Sequence, residues 1–309
     1  MKVKVSIIVP NYNHALFLEQ RLQSILNQTV QNFEMIILDD NSTDDSWFIL
    51  KQYQGHQKVS HLIINEENSG SPFKQWQKGI ALAQGEYIWI AESDDYAAPE
   101  FLEKVLKQFE KNSEIGVVYV QSEDVDEHGE KVSERLNYTT VFNPNIWEYN
   151  FNAKGDYFIQ EYLSQFNVIP NASAVVFKRD IVKQSFFTTD ILQMRMCGDW
   201  LFWIKILETT HIGFIAEKLN YFRTHLAISR NHNQNDKKIQ RLIEEKKIRD
   251  YLNSKGYHCM EREKLLYQNY LSYFKFTDLI FQSRNIKLTK HSYSSFCLKM
   301  ISEKIKRKI

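Results

Sequence analysis

Apolar positions in the first 120 residues follow two alternating periods, one of about two residues and one of about 3.6. Val3, Val5, Ile7 and Val9 share one face of a predicted strand, and Ile8 makes its end apolar on both faces, as a buried strand requires. Pro10-Asn11-Tyr12-Asn13 breaks that strand, and Leu18, Leu22, Ile25 and Leu26 then form the stripe of an amphipathic helix. A second strand over 33–38 ends in Asp39-Asp40-Asn41-Ser42-Thr43-Asp44. Ser42 or Thr43 is suited to cap a following helix that buries Trp47, Leu50 and Tyr53. A third strand over 59–64 leads through a polar loop to a helix over 73–84. That helix has Phe73, Trp76, Ile80 and Ala83 on one side and Gly85 as its C-terminal stop. Tyr87-Ile88-Trp89-Ile90-Ala91 reads as a fourth buried strand. After Pro99 comes a helix with Leu102, Val105, Leu106 and Phe109 inward, then a strand over 116–120.

This alternation predicts an α/β fold with a mainly parallel, Rossmann-like sheet flanked by helices. Residues 121–165 are polar and irregular, with a hairpin expected at Asp126-Glu127-His128-Gly129. A strand over 171–177 follows. Cys197-Gly198-Asp199-Trp200 then opens a helix with Leu201, Ile204 and Leu207 inward, which places Asp199 where the helix dipole favours a carboxylate. Two short strands, 212–214 and 219–222, precede Arg223-Thr224-His225. From Asn235 the chain becomes charged helix, with Ile239, Leu242, Ile243 and Leu252 among many Lys, Arg and Glu residues, ending at Gly256.

Three of the predicted strands end in polar loops, Asn11-Tyr12-Asn13, Asp39-Asp40-Asn41-Ser42 and Ser93-Asp94-Asp95. In an open α/β sheet such loops gather on one edge and line one crevice. Glu92, Asp94 and Asp95 are hard oxygen donors, suited to Mn²⁺ or Mg²⁺ carrying a phosphorylated ligand. Taken alone, the same residues also read as an acidic turn before a helix.

Composition narrows the classes. The 309 residues suit two domains, or one domain with an extension, and 43% hydrophobic content supports a full core. Lys and Arg (39) nearly balance Asp and Glu (38), so a nucleic-acid footprint is not expected. Cys197, Cys259 and Cys297 are too scattered for a disulfide framework or a zinc site. Met1 leads straight into a strand, so no signal peptide is expected, and no apolar run is long enough to span a bilayer. The expectation is a soluble, cytoplasmic protein.

An ordered set of segments carries a family resemblance. Residues 5–13 (VSIIVPNYN), 37–46 (ILDDNSTDDS), 78–88 (KGIALAQGEYI), 93–95 (SDD), 198–200 (GDW) and 221–225 (YFRTH) stand in the order and spacing of the inverting, nucleotide-sugar-dependent glycosyltransferases of family 2, with the GT-A fold. The resemblance covers roughly residues 3–230. It implies a donor-binding half (1–120), an acceptor and catalytic-base half (121–235) of the same domain, and a helical C-terminal extension (236–309).

The resemblance implies roles residue by residue. Pro10, Tyr12 and Asp40 match positions that hold the nucleobase; a carboxylate accepts from the N3–H of uracil, and a ring stacks on the base. Asp94 matches a ribose contact and Asp95 a metal ligand, with His225 completing metal or diphosphate binding and Arg223 neutralising phosphate. Lys74 is the cation available to the nucleotide where the family commonly places a basic residue near Trp76. Asp199 matches the base that takes the proton of the attacking sugar hydroxyl. Two positions depart from the family: Glu92 stands where an Asp is common, and Gly198 where an acid often precedes the base.

The implied activity is metal-dependent transfer of a sugar from a UDP- or dTDP-type donor to a saccharide or lipid-linked saccharide, in surface polysaccharide biosynthesis. A sugar nucleotidyltransferase would carry a Gly-rich loop after the first strand, and Asn11-Tyr12-Asn13-His14 has no glycine. An inactive nucleotide-sugar-binding relative would have no need of Asp199. A dinucleotide oxidoreductase is disfavoured because no Gly-x-Gly-x-x-Gly follows the first strand. The tail from Ser292 mixes Phe296, Leu298, Met300 and Ile301 with Lys304, Lys306, Arg307 and Lys308. It suits peripheral contact with an anionic inner leaflet, or equally a solvated helix closing the acceptor domain or a homodimer.

Overall fold

The computed structural model describes residues 3–225 and 235–273, with positions 298, 302 and 305 beyond them. Ten of the described segments pair into one sheet: β1 (Val5–Asn11), β2 (Phe33–Asp39), β3 (Val59–Ile64), β4 (Tyr87–Ile90), β5 (Tyr96–Ala97), β6 (Ile115–Val125), β7 (Lys131–Glu134), β8 (Phe151–Lys154), β9 (Val175–Lys178) and β10 (His211–Arg223). The order along the sheet is β3-β2-β1-β4-β9-β6-β10-β5, with β7 beside β6 and β8 beside β10. β1 pairs in parallel with both β2 and β4, β2 with β3, and β6 with β10. β9 runs antiparallel between β4 and β6, which keeps those two strands in the common direction.

Helices α1 (Ala15–Leu26), α2 (Ser46–Leu50), α3 (Pro72–Leu82) and α4 (Phe101–Lys111) link the early strands. Two short helices, α5 (Gly155–Phe158) and α6 (Thr189–Gln193), precede α7 (Gly198–Leu207), α8 (Asn235–Ser254) and α9 (Met260–Tyr273). The period-two pattern of β1 divides the core. Val5, Ile7 and Val9 pack with Leu18, Leu22 and Ile25 of α1 and with Phe101 and Leu102 of α4 on one face. Ile8 packs with Phe73, Trp76 and Ile80 of α3 and with the apolar side chains of α7 on the other. Each of the buried α1 side chains contributes about 1.5–3 kcal/mol relative to exposure. Ile248 and Leu252 of α8 join this second cluster, so α8 is seated on the same core.

Several local expectations change. Trp47 is 45% exposed, because α2 is a single short turn that buries Ser46 and Leu50 and passes into a 3₁₀ turn burying Tyr53. Neither Ser42 nor Thr43 caps it; Asp44 accepts from the N–H of Ser46 at 3.0 Å and from that of Ala15 at 2.8 Å, tying two helix starts together. Gly85 is not a left-handed helix stop. Its Cα lies so close to β1 that a Cβ would sit 2.5 Å from Ser6 N, and close approach is what requires glycine there. The strand expected over 171–177 begins as a 3₁₀ turn (Ala172–Ala174), and the two short strands after α7 are one continuous β10. The hairpin at Asp126–Gly129 forms as expected, with Gly129 N–H donating to Asp126 O. Gly256, at φ +87°, follows α8 where expected. Among the described residues no helix is long and apolar enough to cross a membrane. The basic tail expected to contact a membrane lies, apart from positions 298, 302 and 305, outside the described residues.

Candidate active site

The carboxyl ends of β1, β2 and β4 open onto a cleft of about 750 Å³. Its walls are Pro10 to His14 after β1, Asp40 after β2, Asn68 and Gly70 to Phe73 with Gln75 and Trp76 around the start of α3, and Glu92 to Asp95 after β4. Asn171, Ala172, Arg195, Met196, Asp199 and Phe222 complete them. Its size is that of a small-molecule site.

The β1 and β2 loops brace each other. Asn13 and Asn41 adopt left-handed backbones, at φ 56° and 61°. Asn13 N–H donates to Ser42 Oγ at 2.9 Å, and its side-chain oxygen accepts from Thr43 N–H at 2.7 Å. Asp39 accepts from Asn11 at 2.6 Å and from both the N–H and hydroxyl of Ser42, so it holds the turn rather than a ligand. Asp40 is 5% exposed and accepts from Asn65 at 2.7 Å, Gln75 at 2.8 Å, and the N–H and hydroxyl of Ser69 at 2.9 and 2.8 Å. It lines the cleft with its carboxylate rigidly oriented, while Tyr12, 45% exposed, presents its ring at the opening.

The β4 loop forms an acidic floor. Glu92 accepts from the Trp76 indole N–H at 2.9 Å. Burial, reinforced by the charge of Asp94, pushes its pKa up to about 8. Asp94 is held below the ordinary carboxylate range: burial resists ionisation, but His14 and His225 outweigh it. Asp95, 2% exposed, is raised by burial and by the Asp94 charge, and it accepts from the Arg223 N–H at 2.9 Å. Beneath the floor lies Arg21 of α1, fully buried, with Nε donating to Glu92 O at 2.8 Å and the guanidinium 5.5 Å from the Trp89 ring centroid. Burial lowers its pKa to about 10 against the opposing pull of Asp95, Asp94 and Glu92.

His14, Asp94 and His225 each turn one potential metal-ligand atom into a group whose members lie within 4.8 Å of one another. His225 Nε2 is 3.2 Å from Asp94 Oδ2, and the His14 and His225 rings meet edge-on at 5.5 Å. His14 Nδ1 is 2.9 Å from Ser93 Oγ, which orients its ring. Two imidazoles and one carboxylate form a mixed donor set that fits Mn²⁺ better than all-oxygen Mg²⁺ coordination.

Asp199 stands in the first turn of α7. Its Oδ1 accepts from Trp200 N–H at 2.8 Å and its Oδ2 from Asn167 at 2.9 Å. Gly198 precedes it because α7 starts against Phe73 of α3, where a Cβ would meet the ring at 2.5 Å. Steric closeness therefore accounts for the absence of an acid at 198.

The structure gathers Pro10, Tyr12, Asp40, Asp94, Asp95 and Asp199 on one cleft and sets His225 against Asp94. It does not bring Lys74 or Arg223 to the cleft wall. Lys74 Nζ donates to Ser69 O at 2.8 Å on the exposed side of the loop. Arg223, 1% exposed, directs its guanidinium to the carbonyls of Asp94, Asp126 and Glu127 and to Gln20, bracing the β4 and β6–β7 loops. The guanidinium on the cleft wall is instead that of Arg195, whose Nη2 lies 3.7 Å from where a Cβ on Gly70 would stand. His14, Arg21, Asn167 and Arg195 escaped sequence reasoning. His14 alone carried a usable signal, as an imidazole in a strand-end loop.

Residues 6–186 match the family model described as glycosyl transferase family 2. An uncharacterized glycosyltransferase of Methanocaldococcus jannaschii, MJ1057, is 30% identical over 70% of this chain and 69% of its own length. The putative teichuronic acid biosynthesis glycosyltransferase TuaG of Bacillus subtilis is 40% identical, over 34% of this chain and 42% of its own. Among solved structures, S. aureus TarS 1–349 in complex with UDP-GlcNAc superposes with a TM-score of 0.59 at 20% identity, covering 98% of this chain and 81% of that one. The mannosyltransferase PcManGT of Pyrobaculum calidifontis, in complex with GDP-Man and Mn²⁺, gives 0.56 at 15% identity, covering 99% and 87%. These likenesses establish the fold, and with the family match they establish the class: the chain is a glycosyltransferase with the GT-A fold and belongs to glycosyl transferase family 2.

Proposed function

We propose that the protein transfers a sugar, with inversion, from a UDP- or dTDP-type nucleotide sugar to a hydroxyl of a saccharide or lipid-linked saccharide acceptor during surface polysaccharide assembly. One observation carries this reading: a single cleft is lined by His14 and Asp94 of the metal-competent His/Asp group and, from a different element, by a hydrogen-bonded carboxylate at a helix start. Binding alone needs no such second carboxylate. The complexes of TarS with UDP-GlcNAc and of PcManGT with GDP-Man and Mn²⁺ support a nucleotide-sugar donor, and the likeness to TuaG supports the polysaccharide context.

In this reading Tyr12 stacks on the base, Pro10 shapes its slot, and Asp40 accepts from the base N–H at the cleft wall. Arg195, rather than Lys74 or Arg223, pairs with the diphosphate, as a guanidinium suits phosphate oxygens. His14, Asp94 and His225 would hold Mn²⁺, so the metal role expected of Asp95, which accepts from the Arg223 N–H instead, passes to Asp94, expected as a ribose contact. A bound Mn²⁺ supplies positive charge that neutralises the departing nucleoside diphosphate. Asp199 accepts the acceptor hydroxyl proton as that oxygen forms a bond to the anomeric carbon; the bond from that carbon to the diphosphate oxygen breaks, and both its electrons leave with the nucleotide. Asn167 holds the Asp199 carboxylate toward the cleft during this step.

A thermal-shift panel of UDP-, dTDP- and GDP-sugars with and without Mn²⁺ tests the proposal. Stabilisation by a UDP- or dTDP-sugar that depends on Mn²⁺ is expected. No stabilisation by any donor refutes it.

A further inference from the structure

Helix α8 of the C-terminal extension carries two buried side chains of opposite charge that bond to backbone outside their own helix. Glu244 is 1% exposed. One carboxylate oxygen accepts from Arg195 N–H at 3.0 Å and the other from the N–H groups of Met196 and Cys197, both at 2.9 Å; Gln240 donates a further bond at 2.9 Å. Arg249, 4% exposed, donates to the carbonyls of Ser164 and Gln165 and lies 5.2 Å from the Trp200 ring centroid. These two backbone stretches converge on one residue. Segment 195–197 runs directly into α7 and Asp199, and 164–165 leads to Asn167, which donates to Asp199 at 2.9 Å.

We propose that α8 is a positioning element for the active cleft, with Glu244 as its principal residue: it fixes the loop that sets both the Arg195 cation and the Asp199 carboxylate. The proposal rests on the functional reading above. Three successive N–H groups entering a helix need acceptors, and all three find theirs in Glu244. A carboxylate meets all three through charge-assisted bonds, which hold the loop in one arrangement. Helix α8 thereby does more than cover the core through Ile248 and Leu252. It completes the site from outside the family-matched residues 6–186.

Three full-length proteins test this: wild type, Glu244→Gln, and Ile248→Ala, the last removing core packing from the same helix while leaving every hydrogen bond of Glu244 to the loop in place. Glu244→Gln replaces one acceptor oxygen with an NH₂ group facing N–H donors. It is expected to speed amide exchange at residues 195–197 by at least about tenfold and to lower transfer kcat/KM by at least about tenfold. Ile248→Ala is expected to lower Tm, with loop exchange and kcat/KM retained at temperatures well below melting. A Glu244→Gln protein whose exchange and kcat/KM match those of Ile248→Ala overturns the positioning role alone. Wild-type protein that binds no nucleoside diphosphate overturns the functional reading, and the positioning role with it.

Discussion

Glu92 gives a sharp test of the electrostatics of the cleft floor. Its half-buried carboxyl lies against Trp76 and beside Asp94, and its pKa is pushed up from 4.5 to about 8. The unfolded chain releases this proton near the ordinary value, whereas the folded protein keeps it until about pH 8. Between those limits the folded state binds more protons, so stability must fall as pH rises. At about 1.4 kcal/mol per pH unit, the interval sets a ceiling of about 5 kcal/mol, lost progressively between about pH 4.5 and about pH 8. Glu92→Gln removes the titration and keeps an oxygen for the Trp76 N–H. In metal-free buffer, the variant should match wild type near pH 5 and exceed its Tm by roughly 5–10 °C near pH 8. Asp95, also raised by burial and by Asp94, leaves a smaller residual slope in the variant. Scanning calorimetry across this range is the assay. A Glu92→Gln protein less stable than wild type near pH 8, or one with an unchanged slope, refutes the reasoning.

Three further substitutions probe the site from other sides. Asp40→Ala leaves the donors of Asn65, Ser69 and Gln75 without their acceptor, and should destabilise by about 2–4 kcal/mol in chemical denaturation while abolishing detectable nucleotide affinity. His14→Ala should weaken Mn²⁺ binding about 10- to 100-fold by calorimetry with little change in Tm; unchanged affinity removes His14 from the metal group. Gly198→Ala drives a Cβ to 2.5 Å from the Phe73 ring, so a loss of about 1–3 kcal/mol with lowered kcat is expected from denaturation and turnover assays.

The sheet and its flanking helices were legible because burial repeats locally. β2, β3 and β4 begin where the apolar runs begin, and the stripes of α3 and α4 face the core as their spacing implies. Of the predicted cleft residues, Tyr12, Asp40, Asp94 and Asp95 follow from the strand-end rule, which needs only the order of strands, whereas Asp199, at the start of α7, came only with the family resemblance. What the sequence hid is long-range partnership. Arg223 sits beside the family-like segment that ends at His225, yet its guanidinium is taken up by carbonyls about 100 residues away, which no local pattern records. Lys74 is one residue from the buried Gln75, and helical geometry alone turns it outward. Glu244 looked like one more solvated charge in a charged helix, and only the packing of α8 against α7 reveals its burial. Trp47 erred the other way, because apolar spacing cannot report that a helix stops after one turn.

The most direct measurement compares wild type with Asp199→Asn for sugar transfer and nucleotide binding in parallel, with Mn²⁺ present. The account predicts a fall in kcat of about 10²- to 10⁴-fold with UDP or dTDP affinity essentially retained, since the base acts on the acceptor and the nucleotide is held elsewhere in the cleft. An Asp199→Asn protein that transfers sugar at the wild-type rate would contradict it.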